Sequence, residues 1–305
     1  MSEIIQPEIE KIKYPIPDDM RECFEKFVKR PYDNHVHTDP WKQEILNQSY
    51  DYHRRYILEQ GRTDFNIPFN GLPPRAKVLI YCYQYMQMHC MSSYHIFLKH
   101  WDLFNGYVAC ESDINTTEVA PLFVDFGCGP LTSGLAFSHL CMNKIAFHYI
   151  GIDRAKPMLA TADDFRSNPK FGEKCTFDFL ENYNTKTLLS LIDKYIYNNP
   201  NILIIFNFSY FFASTSINVQ ELLAIIRSIL TKHNSNPVYI VFQNPPGTTI
   251  NSKWHEFISY LPQFNTLING PLLEEIQYEY TMNGYNNYKS VQLYYDLLQL
   301  QRSSL

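Results

Sequence analysis

Two carboxylates and a glycine-rich turn stand where they can hold a sugar. Asp125 closes an apolar run, Leu122-Phe123-Val124, and Gly127-Cys128-Gly129-Pro130 follows it directly. Asp153 closes a second apolar run, residues 147–152. An acidic residue at the carboxyl end of a strand can accept hydrogen bonds from both hydroxyls of a ribose. Glycine lets the backbone approach a ligand closely and enter left-handed conformations. The pattern therefore points to a ribose-bearing cofactor, and spacing narrows the choice. The dinucleotide fingerprint G-x-G-x-x-G places its third glycine at position 132. That residue is Thr132, and the next glycine is Gly134. The pyrophosphate turn is incomplete, so NAD is not expected to bind. Cys128, inside the turn, reads as a small side chain that fits there.

These residues need a β-loop-α-β unit to bring them together, and residues 121–153 supply one, with a helical stretch reaching Asn143. The later chain repeats the alternation. A helix is expected over 157–166, a third strand over 173–180 and a helix over 185–197. The fourth strand covers 201–210, and its run 202–206 is apolar throughout, as in a strand covered on both faces. Then come an amphipathic helix over 218–230, a fifth strand over 237–244 and a helix over 252–261. Two alternating segments, 272–282 and 288–300, end the chain as a strand pair joined by 283–287. The fold class expected is α/β, a doubly wound, mostly parallel seven-stranded sheet. Residues 1–120 read as mostly helical. Helices are expected from Asp18-Asp19 through Phe27, over 41–59, and over 76–104 with a break at Ser92-Ser93. Residues 61–74 form a loop rich in proline and glycine. The domains are thus 1–120, a helical cap or lid, and 121–305, the cofactor-binding domain.

The run VDFGCGP resembles the first motif, D-x-G-x-G, of class I S-adenosylmethionine (SAM)-dependent methyltransferases, and Gly151-Ile152-Asp153 resembles their second motif. The resemblance extends from residue 121 to the end of the chain as a pattern of elements, and only these two motifs are specific. GCGP also occurs in small-molecule N-methyltransferases of the superfamily, although four residues assign no subfamily. The resemblance implies a Rossmann-like methyltransferase fold, SAM as cofactor and S-adenosylhomocysteine (SAH) as product. It places Asp125, Gly127, Cys128 and Gly129 on the methionine side, and Asp153 with its neighbour Arg154 at the ribose. It brings Asp178 to the adenine amino group and Phe179 to the adenine ring, a pair that also reads as ordinary strand-end residues. It sets the end of the fourth strand, Asn207-Phe208-Ser209-Tyr210, beside the methyl donor. The final strand pair resembles the family's terminal hairpin. Asn244-Pro245-Pro246-Gly247 resembles the N-P-P-aromatic motif of amino-group DNA methyltransferases but departs from it twice. Gly247 replaces the stacking ring, and the motif follows the fifth strand instead of the fourth. A rigid turn is the better reading.

Bulk properties limit the partners. The net charge of −5 argues against a general nucleic-acid binder, and the N-terminal 120 residues are themselves net acidic. Seven cysteines without a C-x-x-C pair suggest reduced thiols and a cytoplasmic location. No apolar run reaches membrane-spanning length and the opening MSEIIQPEIEKIKYP has no signal-peptide pattern, so no membrane partner is expected. His35 and His37 form an H-x-H pair between prolines, with no third ligand near in sequence, so loop polarity explains them better than a metal. Arg54-Arg55 and Arg62 can meet an anionic group, and a solvated helix face explains the first pair equally well. Methyl transfer mainly requires alignment, and a base only where the nucleophile must lose a proton. No catalytic residue is therefore assigned. The leading expectation is a SAM-dependent methyltransferase for a small-molecule acceptor, with the aromatic N-terminal helices as its lid. The alternatives are an RNA or protein acceptor, or a non-catalytic SAM-binding module that regulates a partner; Asp153 counts against the last.

Overall fold

The apolar runs become the buried centre of one sheet. The computed structural model describes residues 12–107, 120–141, 147–168, 171, 175–196, 202–261, 263–282 and 285–301, with backbone only at 281, 282, 285 and 286. The strands are β1 (Ile12–Tyr14), β2 (Leu122–Phe126), β3 (His148–Ile152), β4 (Thr176–Leu180), β5 (Ile204–Ser209), β6 (Val238–Asn244), β7 (Phe264–Thr266), β8 (Leu272–Met282) and β9 (Tyr285–Leu300). Their order is β1-β8-β9-β6-β5-β2-β3-β4, with β7 also on β9. Strand β9 alone runs against the others among the described residues.

The helices are α1 (18–33), α2 (39–46), α3 (50–57), α4 (74–99), α5 (Asp102–Asn105), α6 (Thr132–Leu140), α7 (Lys156–Arg166), α8 (Thr185–Ile196), α9 (Val219–Lys232) and α10 (Ser252–Tyr260). Strand alternation sends neighbouring side chains to opposite faces. Phe123, Tyr149 and Ile205 join α6, α7 and the N-terminal helices in one core. Leu122, Val124, Ile150 and Ile204 join α8, α9 and α10 in the other. This is the doubly wound α/β arrangement expected, and the N-terminal region shares the first core.

The sheet has nine strands where seven were expected. Strand β1 comes from the N-terminal region and lies parallel to β8, Ile12 opposite Ile276. Strand β7 is three residues long and pairs with the end of β9 that the shorter β8 leaves uncovered, Leu298 to Leu300. Strands this short carry no periodicity; an available edge decides them. The hairpin strands also extend to Met282 and Tyr285, closer together than expected, and the joining residues 283 and 284 lie outside the described residues. So do the expected helix end at 143, the strand starts at 173 and 201, and the helix end at 197.

Two helices differ from expectation. The stretch 41–59 divides into α2 and α3, because the Ser49 hydroxyl accepts from Tyr52 N and starts a new helix. Helix α4 runs unbroken through Ser92-Ser93, because both hydroxyls have partners. Ser92 Oγ donates to Met88 O at 2.7 Å, and Ser93 Oγ pairs with Ser133 Oγ at 3.2 Å. Among the described residues, no helix is long and apolar enough to cross a membrane.

Candidate functional site

Strand order reverses between β2 and β5, and a cavity of about 950 Å³ opens beyond their carboxyl ends. In open α/β sheets this crevice is where ligands bind. The glycine loop forms its floor. Gly127 sits at φ +72°, and a Cβ there would lie 2.9 Å from Phe211 Cδ2. The amides of Gly127 and Cys128 both donate to Ile152 O, at 2.8 and 3.0 Å, which folds the loop across the end of β3. The next residue after that strand is Asp153. Its Oδ2 accepts from Gly129 N at 3.1 Å and its Oδ1 from Ala155 N at 2.8 Å. Burial raises the pKa of this carboxyl, and the two backbone amides oppose the rise. Inside α6, a Cβ on Gly134 would lie 2.9 Å from the Tyr149 ring. The close helix-to-strand approach that the third fingerprint glycine would permit is thus provided two residues later.

Gly127, Cys128, Gly129, Asp153 and Arg154 line the cavity. Cys128 is buried, with its thiol pKa pushed up by burial and by the Asp153 and Asp125 carboxylates, so it is a neutral spacer. Arg154 donates to Ser216 Oγ at 2.9 Å.

Asp125, Asp178, Phe179, Asn207 and Phe208 lie apart from the cavity lining. Asp125 is 1% exposed beneath the loop, where it accepts from Tyr149 OH at 2.6 Å and Asn207 Nδ2 at 2.7 Å. Asp125 and Asn207 thus form a polar bridge inside the sheet. Phe208 points to the other face and stacks on Phe126, centroids 4.8 Å apart. Asp178 is turned towards α8, accepting from Tyr195 OH and Lys194 Nζ. Phe179 packs against Phe177 and Tyr149.

The cavity takes residues slightly further on. Leu180 pairs with Ile152, so the level of Asp153 is reached by Glu181 and Asn182, beyond β4. Of the expected strand end, Ser209 and Tyr210 line the cavity, and Phe211 follows them there. Reading one or two residues past the third expected strand would have found Glu181 and Asn182. The N-terminal region contributes Arg54, Arg62, Tyr81, Tyr85, Met88 and His89, which no local motif marks as a set. His89 stacks on Tyr210 at 4.1 Å, and its Nδ1 meets Tyr81 OH at 3.1 Å. Burial pushes its pKa down to about 3, leaving a neutral imidazole.

Two other sequence features are structural here. Asn244 Nδ2 donates to Asn251 Oδ1 at 2.9 Å, while Asn251 Nδ2 donates to the carbonyls of Pro245 and Gly247 at 3.0 and 2.8 Å. The Asn-Pro-Pro-Gly turn is therefore clasped by Asn251. His35 stacks on Trp41 at 3.7 Å.

The Asp125 bridge has a pH signature. Burial, the largest cause, pushes this carboxyl up from 3.8 to about 7, against the two hydrogen bonds. Between those values the folded chain holds a proton that the unfolded chain has released. Stability from this group is then lost as pH rises, by up to about 1.4 kcal/mol per pH unit. Asp125→Asn removes the titration, so its thermal midpoint should gain on that of the unmodified protein between about pH 5 and 7. A midpoint difference that stays constant with pH would mean that Asp125 titrates like an ordinary carboxylate.

No protein-family model and no curated protein matches the sequence. Among solved structures, it is similar to the precorrin-6y C5,15-methyltransferase of Geobacter metallireducens, at 12% identity over 62% of this chain and 85% of that one, with a TM-score of 0.36. A Streptococcus mutans protein in complex with SAH aligns at 16% identity over 67% of this chain and 96% of that one, TM-score 0.37. The human methyltransferase 10 domain containing protein aligns at 11% identity over 70% and 84%, TM-score 0.39. At these scores the likeness adds nothing to the fold read from the strand order itself.

Proposed function

We propose that the chain is a cytoplasmic SAM-dependent methyltransferase acting on a small-molecule acceptor. The observation that carries this reading is the pairing of Asp153 with the glycine loop. Each carboxylate oxygen already takes one backbone N–H. Each keeps a further lone pair for a ribose hydroxyl. The absent side chain at Gly127 leaves the loop backbone open to the methionine part of the donor. Glu181 and Asn182, level with Asp153, suit the adenine end. The volume is at the upper limit for small-molecule sites, ~300–1,000 Å³, and accommodates a nucleoside-sized donor with a small acceptor beside it.

SAM, when bound, supplies an activated methyl group for in-line displacement. The chain's own task is alignment and exclusion of water. Tyr81, Tyr85, Met88 and His89 of α4 cover the cavity as a lid. Because His89 is neutral, it adds no like charge beside a cationic donor. The cytoplasmic location is supported by Cys82 and Cys128, which are free thiols.

Calorimetric titration tests the donor. SAM and SAH should each bind at one site per chain, and NAD should give no measurable heat of binding. NAD binding tighter than SAM binding would overturn the assignment.

A further inference from the structure

Arg54 lines the cavity, and Lys289 lies near it, behind the lining. Arg54, on α3, lines the cavity beside Val291 and Gln292 of β9. Lys289 lies two residues before Val291, on the same face of the strand, and is half-buried. Its Nζ lies 5.5 Å from the ring of Tyr50, which precedes Arg54 by one turn on α3, and burial and Arg54 both lower the pKa of its ammonium. Neither forms an ion pair among the described residues. The carboxylate that Arg54 senses is Asp51, one turn back on its own helix. A lysine withdrawn from water without a counter-charge costs free energy that an arriving anion would offset.

The surrounding rings decide the sign of the missing group. A tyrosine-rich pocket next to a methyl donor could equally cage a cationic amine. Here the chain's own two cations decide against that, and nearby rings hold them in place. Lys289 Nζ lies 3.4 Å from the centroid of Tyr280 and 5.5 Å from that of Tyr50. Arg54 Cζ lies 5.7 Å from the Tyr85 centroid, and its Nε donates to Tyr85 OH at 3.3 Å. A cationic acceptor would meet two like charges there. An anionic one would find both cations held in place and rings to lie against.

We propose that the acceptor is a planar carboxylic acid, its carboxylate held by Arg54 and Lys289 and its body lying against the rings of Tyr85, His89 and Tyr210. The assignment rests on the cavity being the methyl-transfer site proposed above. It differs from that reading in naming the charge of the substrate.

The full chain, saturated with SAH, is titrated with indole-3-acetate, indole-3-acetamide and tryptamine, which share a ring system and differ in charge. The acid should bind roughly tenfold or more tighter than the amide, the scale of one charge-assisted hydrogen bond, and tryptamine weakest of all. Arg54→Met and Lys289→Met should each erase the preference for the acid while SAH still binds, with circular dichroism as the folding control. Equal binding of the three probes, or none, in a protein that binds SAH would overturn this proposal alone. Loss of SAH and acid affinity together in Arg54→Met would assign Arg54 to the donor's own carboxylate and overturn it as well. Failure of the unmodified chain to bind SAH would overturn the methyltransferase reading beneath it.

Discussion

Gly127→Val is expected to leave no measurable affinity for SAM in a protein that still folds. Residue 127 holds φ at +72°, where a β-branched residue is strained by about 1–3 kcal/mol. Its Cβ would also meet Phe211 Cδ2 at 2.9 Å. That ring has little freedom to withdraw, with Phe126, Phe208 and Phe212 at centroid distances of 6.0, 5.6 and 5.4 Å. The loop must move instead. Doing so breaks the amide bonds of residues 127 and 128 to Ile152 O and draws Gly129 N away from Asp153. Floor and ribose site would be lost together, a drop of roughly 100-fold or more in affinity. Circular dichroism establishes that the variant is folded before titration. Gly127→Ala, with the same backbone strain and less bulk, should be intermediate. Unchanged SAM affinity in folded Gly127→Val would remove the loop from the donor site.

Asp153→Ala should weaken SAM binding by about 1.5–3 kcal/mol, the scale of hydrogen bonds to a charged group. The carboxylate has two roles, and the variant loses both. It offers acceptors to the ribose, and it holds Gly129 N and Ala155 N. Asp153→Asn separates them poorly, because its NH₂ would face one of those two N–H groups, so it should be nearly as damaging. The folded-state pKa of Asp153 is raised, and the charged form is the better acceptor. Affinity should accordingly fall as pH drops through that raised value. A folded Asp153→Ala protein with an unaltered dissociation constant would place the ribose elsewhere.

The two variants are coupled through a short piece of chain. Gly127, Gly129 and Asp153 meet because the amides of Gly127 and Cys128 donate to Ile152 O and that of Gly129 donates to the Asp153 carboxylate, across the ends of β2 and β3. Asp125 stabilises the same region from below. Its bridge to Tyr149 and Asn207 ties β2 to both its neighbours inside the sheet. Disturbing Asp125 should thus be read out in stability more than in affinity.

The sequence by itself determined the parallel centre of the sheet and the glycine loop with Asp153. Both are local: an apolar run long enough to cross the core, and a turn or acid within a few bonds of its end. The tertiary structure alone decided what depends on register and packing between distant segments. Asp125 and Asn207 stand opposite each other in the β2–β5 ladder, and that pairing makes a buried bridge. The approach of α8 supplies Tyr195 and Lys194 to Asp178 and takes it from the cavity. Register places Glu181 level with Asp153. Arg54 and Lys289, far apart in the chain, become neighbours only when the N-terminal helices close on the hairpin, and β1 pairs with β8 for the same reason. Periodicity within a segment records which of its faces is buried. It does not record which distant edge or helix that face will meet, because the ladder bonds and contacts that settle the choice form between segments, after each has its own structure.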